Sequence, residues 1–248
     1  MYNGYRVIAL VPARDEESKI GPVVDRIRAA SEQVHAPALI DALIVIDDAS
    51  HDETASVASR CGAHVLSLTK PSGVGAALRA GLDLARRGGF DIAVILAGNN
   101  KDEPQEIIRL LEPICADACD FVVGSRYLDG GICGGDMPRY RKWATRLHPW
   151  LMSRCAGKAV TESTNGFRAI RVSLLGDPRI NLEQGWLNAY GLEVYLLWKA
   201  LRLGYKHCEV PCTKIYPSRS LGYTKMKPGI GWWSILCPLF LLKLGLRR

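Results

Sequence analysis

An apolar strand that ends in two adjacent acids constrains the fold more than any other feature of this sequence. Residues 44–46 are the β-branched run Ile-Val-Ile, which requires burial, whereas Asp47 and Asp48 directly after it need water, a hydrogen-bond donor or a cation. Both requirements are met at the carboxyl end of a parallel strand, where open α/β sheets bind ligands. A strand-to-helix turn capped by Ser50 or Asp52 explains the same residues without a ligand.

A second acidic strand end lies upstream of the first. Residues 5–11 are predicted to form a strand, which leads into Pro-Ala-Arg-Asp-Glu-Glu at 12–17 and then into a helix over 18–30. The inward face of that helix carries Ile20, Val23, Val24 and Ile27. The two acidic strand ends therefore lie in consecutive βα units.

The alternation of strands and helices continues to residue 124. Strands are predicted over 42–47, 63–68, 91–97 and 120–124, and helices over 53–60, 74–87 and 104–116. A chain of 248 residues with 48% hydrophobic content suffices for one large domain, and neither an internal repeat nor a low-complexity linker divides it. We therefore predict an α/β fold with a mostly parallel sheet and flanking helices.

The two acidic turns resemble the start of family 2 glycosyltransferases, which are inverting enzymes with the GT-A, Rossmann-like fold. In that family the first strand ends in a Pro-x-x-Asn-Glu type of turn and the second in Asp-Asp-x-Ser-x-Asp-x-Thr. Residues 47–54 follow the second pattern, and residues 12–16 follow the first more loosely, with Asp15 in place of Asn. The resemblance implies a nucleotide-sugar donor whose base is read by Asp48. It implies a nucleotide pocket formed by Pro12, Arg14, Glu16, Asp48 and Gly98.

A glycine turn precedes the helix predicted over 74–87. Gly73 and Gly75 match the family's Asn-x-Gly-x-Gly, which lies near the donor, while Val74 stands where the family carries Lys. Without the other motifs, an ordinary helix-start turn is the simpler explanation.

The turn after the fourth predicted strand departs from the family, which usually has Asp-x-Asp there. With Pro104 as the anchor, Gly98 and Asn100 stand at the two acidic positions and Asp102 follows two residues later. A departing nucleoside diphosphate develops negative charge, which Mg²⁺ or Mn²⁺ bound by oxygen ligands normally neutralises. The resemblance implies Asn100 and Asp102 as the metal ligands. Two alternatives remain: Lys101 supplies part of the charge, or the segment is only a tight turn in which Asp102 caps a helix.

The tetrapeptide Gly-Ser-Arg-Tyr at 124–127 resembles a narrower group, the dolichol-phosphate mannose synthases and polyprenyl-phosphate glycosyltransferases. The resemblance implies that Arg126 contacts the phosphate of the acceptor, and that a second arginine does so as well. Arg141 matches that second position best, with Arg139 a close competitor. A guanidinium suits the task because its planar fork meets phosphate oxygens in pairs, although a solvated basic helix face explains residues 139–146 too.

Three later segments extend the resemblance. Residues 161–169 match Asp-x-Thr-Ser-Gly-Phe-Arg, with Glu162 in place of Asp and Asn165 in place of Ser, and Glu193 matches an acid that the family uses near the sugar. The dipole of the following helix explains Glu193 nearly as well. Residues 204–211 match the family's Gly-x-x-x-x-Glu-Val-Pro strand. The implied catalytic set is Asp102, Arg126, Glu162, Glu193 and Arg219.

The loop after that strand follows the spacing of Arg-x-x-Gly-x-Ser-Lys through Arg219, Gly222, Thr224 and Lys225. Closure of such a loop over the donor would exclude water, with Arg219 and Lys225 offsetting the diphosphate charge. The resemblance places Lys225 with Arg126 and Arg141 at the acceptor phosphate. A basic surface loop is the alternative.

The charge of the chain is divided between its halves. Residues 1–125 contain 12 Lys and Arg against 18 Asp and Glu, whereas residues 126–248 contain 20 against 7. An acidic half with the nucleotide turns followed by a basic half suits a lipid phosphate or a membrane surface. We do not expect a nucleic-acid partner, because no helix-turn-helix, zinc-finger or aromatic-basic pattern accompanies the charge.

The carboxyl-terminal segment 229–248 is apolar, is interrupted by Pro238, and is shorter than the roughly 20 apolar residues of a spanning helix. We predict a membrane-interface amphipathic segment there, in which Trp232 and Trp233 lie at the interface. Its basic residues would meet lipid head groups: Lys243, Arg247 and Arg248. A helix near 143–152 adds a second apolar contact or packs in the core.

The eight cysteines form no Cys-x-x-Cys pair and are too few for a disulfide scaffold, so reduced and mostly buried thiols are expected. The amino terminus lacks the features of a signal peptide, which agrees with a cytoplasmic location. Residues 1–228 are expected to form the glycosyltransferase domain and residues 229–248 a membrane-associating tail. A homo-oligomer is left open.

These observations predict a peripheral enzyme at the cytoplasmic face of a membrane that transfers a sugar from a nucleotide-sugar to a polyprenyl phosphate with inversion. The acceptor phosphate is anionic near neutral pH, so no dedicated general base is needed. One alternative is a family 2 enzyme acting on a glycan hydroxyl, with Glu162 or Glu193 as the base. Another is a non-catalytic subunit that binds nucleotide-sugar or lipid phosphate.

Overall fold

The computed structural model describes residues 1–33, 38–217 and 230–246. The strands are β1 Val7–Ala13, β2 Ala42–Asp47, β3 His64–Ser67, β4 Ile92–Ile95, β5 Phe121–Ser125, β6 Ile132–Gly135, β7 Arg168–Arg171, β8 His207–Pro211 and β9 Thr213–Tyr216. The helices are α1 Glu17–Gln33, α2 Thr54–Arg60, α3 Val74–Arg87, α4 Ile107–Cys115, α5 Arg139–Ala156, α6 Gly191–Leu203 and α7 Ile230–Lys243.

A mostly parallel, Rossmann-like sheet forms the centre of the molecule, as predicted. Seven strands are ordered β3-β2-β1-β4-β7-β5-β8, and only β7 runs antiparallel to its neighbours. The strand order reverses between β1 and β4, and ligands bind in α/β sheets at such a switch point. The turns that follow β1, β2 and β4 therefore meet at one edge.

Both faces of β1 are buried, which explains its unbroken apolar sequence. Val7, Ala9 and Val11 face one core, and Ile8 and Leu10 face the other. Helix α1 covers the first core with the face predicted from the sequence, and α3 and α6 contribute to the second.

The helix predicted from residue 104 begins differently. A 3₁₀ turn occupies Pro104–Glu106, with Glu103 accepting a 3.4 Å bond from the backbone N–H of Gln105, and α4 starts only at Ile107. Proline without an N–H suits this first position because no helical bond is lost there.

Helix α7 packs against α5 and α6 rather than standing apart from them. Leu239 and Leu242 are buried in the core, while Trp233 and Phe240 are exposed. The helix is therefore apolar on both its inner and outer sides instead of amphipathic, and the division of the chain at residue 229 stays a prediction. In the part of the chain that the structure describes, no helix combines the length and apolar character needed to cross a membrane.

The cysteines correct the sequence-based expectation. Cys119 and Cys208 form a disulfide with their Cα atoms 6.2 Å apart, because the register of β5 and β8 brings the two segments together. Of the six other cysteines only Cys212 is fully buried.

Candidate active site

All five residues predicted for the nucleotide pocket line one cavity at the switch point. The cavity has a volume of about 510 Å³, within the range of small-molecule sites, and lies between the turns after β1, β2 and β4. Its walls include Pro12, Arg14, Glu16, Asp48 and Gly98. The structure thus brings together residues that are up to 86 positions apart in the sequence.

Asp48 is fixed by the glycine turn before α3. Its carboxylate accepts hydrogen bonds from the backbone N–H groups of Ser72 and Gly73, at 2.6 and 2.9 Å. Glycine is required in this turn: Gly73 has φ of +97°, and a Cβ on Gly75 would lie 1.9 Å from the carbonyl oxygen of Leu187. Asp48 therefore anchors the wall of the cavity, and its reading of a base stays a prediction.

The two acidic turns are bonded to each other. The backbone N–H of Asp15 donates to Ser50 Oγ at 2.9 Å, and that of Glu16 donates to Thr54 Oγ1 at 2.8 Å. Asp52 accepts a 3.0 Å bond from the N–H of Thr54. Neither Ser50 nor Asp52 is the N-cap of α2, which is Glu53 without a side-chain cap bond, so the structural role of Ser50 and Asp52 is to brace the two turns around the cavity.

A second cavity, of about 220 Å³, adjoins the first. The residues that border both cavities include Lys101, Arg141 and Tyr190. Beyond this junction the second cavity passes between α5 and α7, where Leu147, Ile235 and Leu236 form apolar walls.

The predicted metal ligands have other partners. Asn100 has φ of +56°, and its amide oxygen accepts a 2.7 Å bond from Arg26. Asp102 is buried and accepts a bond from Lys214 Nζ, and a second from the N–H of Ala97 at 3.2 Å. Within the described residues no three His, Cys, Asp or Glu side chains are grouped so that they could hold a metal ion. Mg²⁺ at phosphate sites is held by one or two carboxylates together with the phosphates, and the one carboxylate of this turn, Asp102, is already bonded to Lys214, so the oxygen set does not fit a divalent cation.

Lys214 and Tyr216 are site residues that the sequence did not reveal. In β9 the side chain of Lys214 is buried and that of Ile215 is 46% exposed, the reverse of the usual hydrophobic pattern. Lys214 Nζ also donates to Asn165 Oδ1 at 2.7 Å. The sequence carries no signal for this burial, because a four-residue strand gives too little periodicity to interpret.

Positive charge is concentrated at the junction. Lys101 is buried, and burial, together with the charges of Arg141 and Lys214, lowers the pKa of Lys101 to about 7. The ring of Tyr216 lies between two cations, 5.2 Å from Lys101 Nζ and 5.4 Å from Arg141 Cζ. Such a cluster of like charges is suited to an anionic ligand.

Asn99 is the other residue that sequence reasoning missed. It borders both cavities, and its buried Oδ1 has no hydrogen-bond partner among the described residues. Because an unpaired buried carbonyl is costly, this oxygen is poised to accept a bond from a ligand.

Arg126 and Glu162 form a buried ion pair. Arg126 Nε donates to Glu162 at 2.6 Å, and the other two nitrogens donate to Tyr216 Oη at 2.5 Å and Thr164 Oγ1 at 3.0 Å. The second oxygen of Glu162 accepts bonds from Ser163 N, Thr164 N and Thr164 Oγ1. Burial alone would raise the pKa of Glu162, but Arg126 and Thr164 hold it below its ordinary value. Glu162 is therefore a poor general base, while Arg126 lines the second cavity.

The remaining predicted residues fall into three places. Arg141 and Glu193 line the second cavity, with Glu193 Oε1 3.8 Å from the buried Arg168. Arg139 lies apart from Arg141, on the outer face of α5 beside Trp143 and Trp150. The loop residues Arg219, Gly222, Thr224 and Lys225, together with Arg247 and Arg248, lie outside the described residues.

Comparison with known proteins agrees with this geometry. A family model described as glycosyl transferase family 2 matches residues 8–177. A polyprenol monophosphomannose synthase from Mycolicibacterium smegmatis is 30% identical over 238 residues, which cover 89% of this chain and 81% of that protein. An undecaprenyl-phosphate mannosyltransferase from Micrococcus luteus is 32% identical over 233 residues, which cover 91% of this chain and 89% of that protein.

Solved structures support the GT-A fold. Glucosyl-3-phosphoglycerate synthase from Mycobacterium tuberculosis in complex with Mg²⁺ and uridine diphosphate has a TM-score of 0.68 at 22% identity, covering 99% of this chain and 81% of that chain. At that identity the likeness concerns the fold alone. Because the family model spans more than half of the sequence and two relatives are at least 30% identical over most of their length, this chain belongs to glycosyl transferase family 2 and is a glycosyltransferase.

Proposed function

We propose that this enzyme transfers a sugar from a nucleotide-sugar to a polyprenyl phosphate at the cytoplasmic face of a membrane. The observation that carries the proposal is the second cavity, which has cations at its inner end and apolar walls at its outer end. Lys101, Arg126 and Arg141 suit a phosphate, and Leu147 and Ile235 suit a hydrocarbon chain. The activities in the names of the two bacterial relatives point the same way.

The reaction needs little proton chemistry. An oxygen of the anionic acceptor phosphate attacks the anomeric carbon while the bond from that carbon to the diphosphate oxygen breaks, and the electron pair leaves with the nucleoside diphosphate. Inversion follows from in-line attack. The enzyme contributes position and electrostatic stabilisation.

A hydroxyl acceptor is less compatible with the site because it would require a general base. Glu162 is buried, and its oxygens are bonded to Arg126, Ser163 and Thr164. Glu193 lines the second cavity near Arg168, and we assign it to contact with the sugar. The ionised acceptor phosphate removes the need for either residue to take a proton.

The outer face of α5 supports attachment to a membrane. A surface groove there is formed by Arg139, Lys142, Trp143, Arg146, Leu147 and Trp150. Exposed tryptophans prefer the membrane interface, and arginines and lysines are attracted to the anionic cytoplasmic leaflet. Leu147 belongs both to this groove and to the second cavity, so the surface that would face the bilayer adjoins the site with the cations.

The experiment that tests the function is release of nucleoside diphosphate from UDP-, GDP- and dTDP-sugars in detergent with a short-chain polyprenyl phosphate. The matched control is the corresponding polyprenol, which lacks the phosphate. We expect release and a lipid-linked sugar with one donor, only in the presence of the phosphate. Equal turnover with a glycan hydroxyl and no lipid phosphate would contradict the proposal.

Two arginines of α5 provide a matched pair of variants. Arg141→Gln removes a cation at the junction, and we expect the specificity constant for the lipid phosphate to fall about tenfold or more, the usual cost of a charge-assisted bond. Arg154→Gln removes the same charge near the end of the helix, where Arg154 contacts the ring of Trp150. That variant should keep its activity in detergent.

A further inference from the structure

The turn after β4 is built in this chain around lysines instead of paired acids. The glucosyl-3-phosphoglycerate synthase structure described above, which shares the fold, contains Mg²⁺ together with uridine diphosphate. Three residues define the turn here: Gly98, Asn100 and Asp102. Each of them is excluded from metal binding for a different physical reason.

Gly98 leaves little room for an acidic side chain. A Cβ at this position would lie 3.0 Å from Ala13 Cβ, 3.2 Å from the carbonyl oxygen of Pro12 and 3.3 Å from Ile20 Cδ1. These atoms belong to β1 and α1, which are packed in the core and cannot yield easily. The backbone of the turn is therefore fitted to glycine.

Asn100 is held outside both cavities. Arg26 donates to its amide oxygen at 2.7 Å, and the second nitrogen of Arg26 bonds Glu103 at 2.7 Å. Neither cavity includes Asn100 among its walls. The oxygen expected to bind a metal is thus turned to the α1 side of the loop.

Asp102 is already neutralised by a cation that belongs to the protein. A backbone bridge joins Asp102 to Lys214, and Nζ of that lysine bonds the Asp102 carboxylate and the amide oxygen of Asn165. Both charged side chains are buried, so each satisfies the other in a medium of low dielectric constant. The ammonium group of Lys214 is bonded to the Asp102 carboxylate, which a metal would need as a ligand.

Lys101 brings a second ammonium group to the junction of the two cavities. Arg141 borders the same junction, and Lys214 lines the second cavity. A divalent cation entering this volume would be repelled by Arg141 and by the protonated form of Lys101, whereas Lys214 is paired with Asp102. The buried oxygen of Asn99 is a neutral ligand, and Glu16, a carboxylate on the wall of the first cavity, is already paired with Lys19.

We propose that Lys101 and Lys214 take the place of the divalent cation in this enzyme. Lys214 neutralises the Asp102 carboxylate. Lys101, together with Arg141, neutralises the diphosphate of the donor and the negative charge that develops when the diphosphate leaves. Donor binding is then independent of metal. This inference rests on the proposed function, because it requires a nucleoside diphosphate in the first cavity.

The first test is calorimetric titration of the full chain with UDP, with GDP and with dTDP, in EDTA and again with excess Mg²⁺ or Mn²⁺. We expect the same dissociation constant, within about twofold, in all three conditions for the nucleotide that binds. Binding in metal that is lost in EDTA would overturn the inference and leave the proposed function intact. Absence of binding in every condition would overturn the proposed function, and the inference with it.

Variants assign the roles of the two lysines. Lys101→Met should weaken binding in EDTA by about tenfold or more, and the control Lys199→Met, on α6 away from the cavities, should not. Unchanged binding by the Lys101→Met protein would overturn its role.

Lys214→Met frees Asp102, and we expect binding by that variant to become stronger in Mn²⁺ than in EDTA. The double variant Asp102→Asn with Lys214→Met should lose this response to metal. Lack of a Mn²⁺ response in the folded single variant would show that Lys214 does not stand in the cation's place. If the single variant does not fold, the wild-type and Lys101→Met titrations still decide the inference.

Discussion

Glu162 resembles a catalytic acid, but it acts through its ion-pair partner instead of contacting the substrate. It is fully buried and lines neither cavity, whereas its partner Arg126 lines the second one. The same arrangement recurs at Asp102, which is hidden behind Lys214. In both pairs the acid holds a cation that faces the site, so the carboxylates position charge and do not exchange protons with substrate.

This reading predicts a large stability effect for Glu162→Gln. Loss of the carboxylate leaves the guanidinium of Arg126 buried without its counter-charge, which costs about 3 kcal/mol or more. Urea denaturation measures the change. The control Glu183→Gln removes a carboxylate that is 83% exposed and 3.9 Å from Arg79, and should cost less than about 0.5 kcal/mol.

The effect of Glu162 should also depend on pH. Because the folded protein lowers the pKa of Glu162, the stability it confers is present above the pKa of the unfolded residue, about 4.3, and is lost as pH falls through the folded value. Wild type and Glu162→Gln should therefore converge in stability in acid. A Glu162→Gln protein that is as stable as wild type but inactive would instead indicate a direct role in the reaction.

At the scale of elements, the start of α3 is packed closely against the segment that precedes α6. A Cβ on Gly75 would lie 1.9 Å from the Leu187 carbonyl oxygen and 2.5 Å from that of Ala189. Gly75→Ala must separate α3 from this segment, and we expect a loss of about 1–3 kcal/mol or more in stability. Gly176→Ala is the matched control, because nothing lies within 4 Å of its Cβ. Equal stability of the two variants in thermal melts would contradict the prediction.

The elements of the first half were predictable because each leaves a local signal. β1 is an unbroken apolar run and α1 has apolar residues at helical spacing, so both follow from periodicity. β6 and β9 leave no such signal. Ile132–Gly135 contains two glycines, and its parallel pairing with Thr213–Tyr216 spans about 80 residues of sequence. Only the tertiary fold brings these strands together.

The same distinction applies to the site. The walls of the nucleotide cavity follow strand ends that a sequence displays, and the prediction of Pro12, Glu16 and Asp48 as neighbours agrees with their places in the structure. The cation that meets Asp102 comes from β9, 112 positions away, and nothing local to the turn indicates it. Long-range pairing of charges is the part of the site that sequence patterns do not reveal.

At the scale of the whole molecule, an exposed apolar and basic surface of α5 adjoins the second cavity at Leu147. Trp143 is 79% exposed and Trp150 is 54% exposed on α5, and Trp233 is 65% exposed on α7. Arg139, Lys142 and Arg146 stand in the same groove as the two tryptophans of α5. Water-facing tryptophans are costly for a protein that stays in solution, and a bilayer would bury them.

Replacing both tryptophans of α5 should therefore weaken membrane binding without damaging the site. Burial of an aromatic side chain contributes about 1.5–3 kcal/mol. The double variant Trp143→Ser with Trp150→Ser should therefore have a partition coefficient into anionic phospholipid vesicles, measured by sedimentation, that is about a hundredfold lower than that of wild type. Ile132→Ser, at a site 52% exposed outside that groove, is the control and should bind as wild type does. The double variant should keep its turnover of short-chain acceptor in detergent, because neither tryptophan lines the second cavity.

Wild-type binding by the double variant would place the membrane contact elsewhere on the molecule. Loss of detergent activity as well would mean that α5 shapes the acceptor site directly.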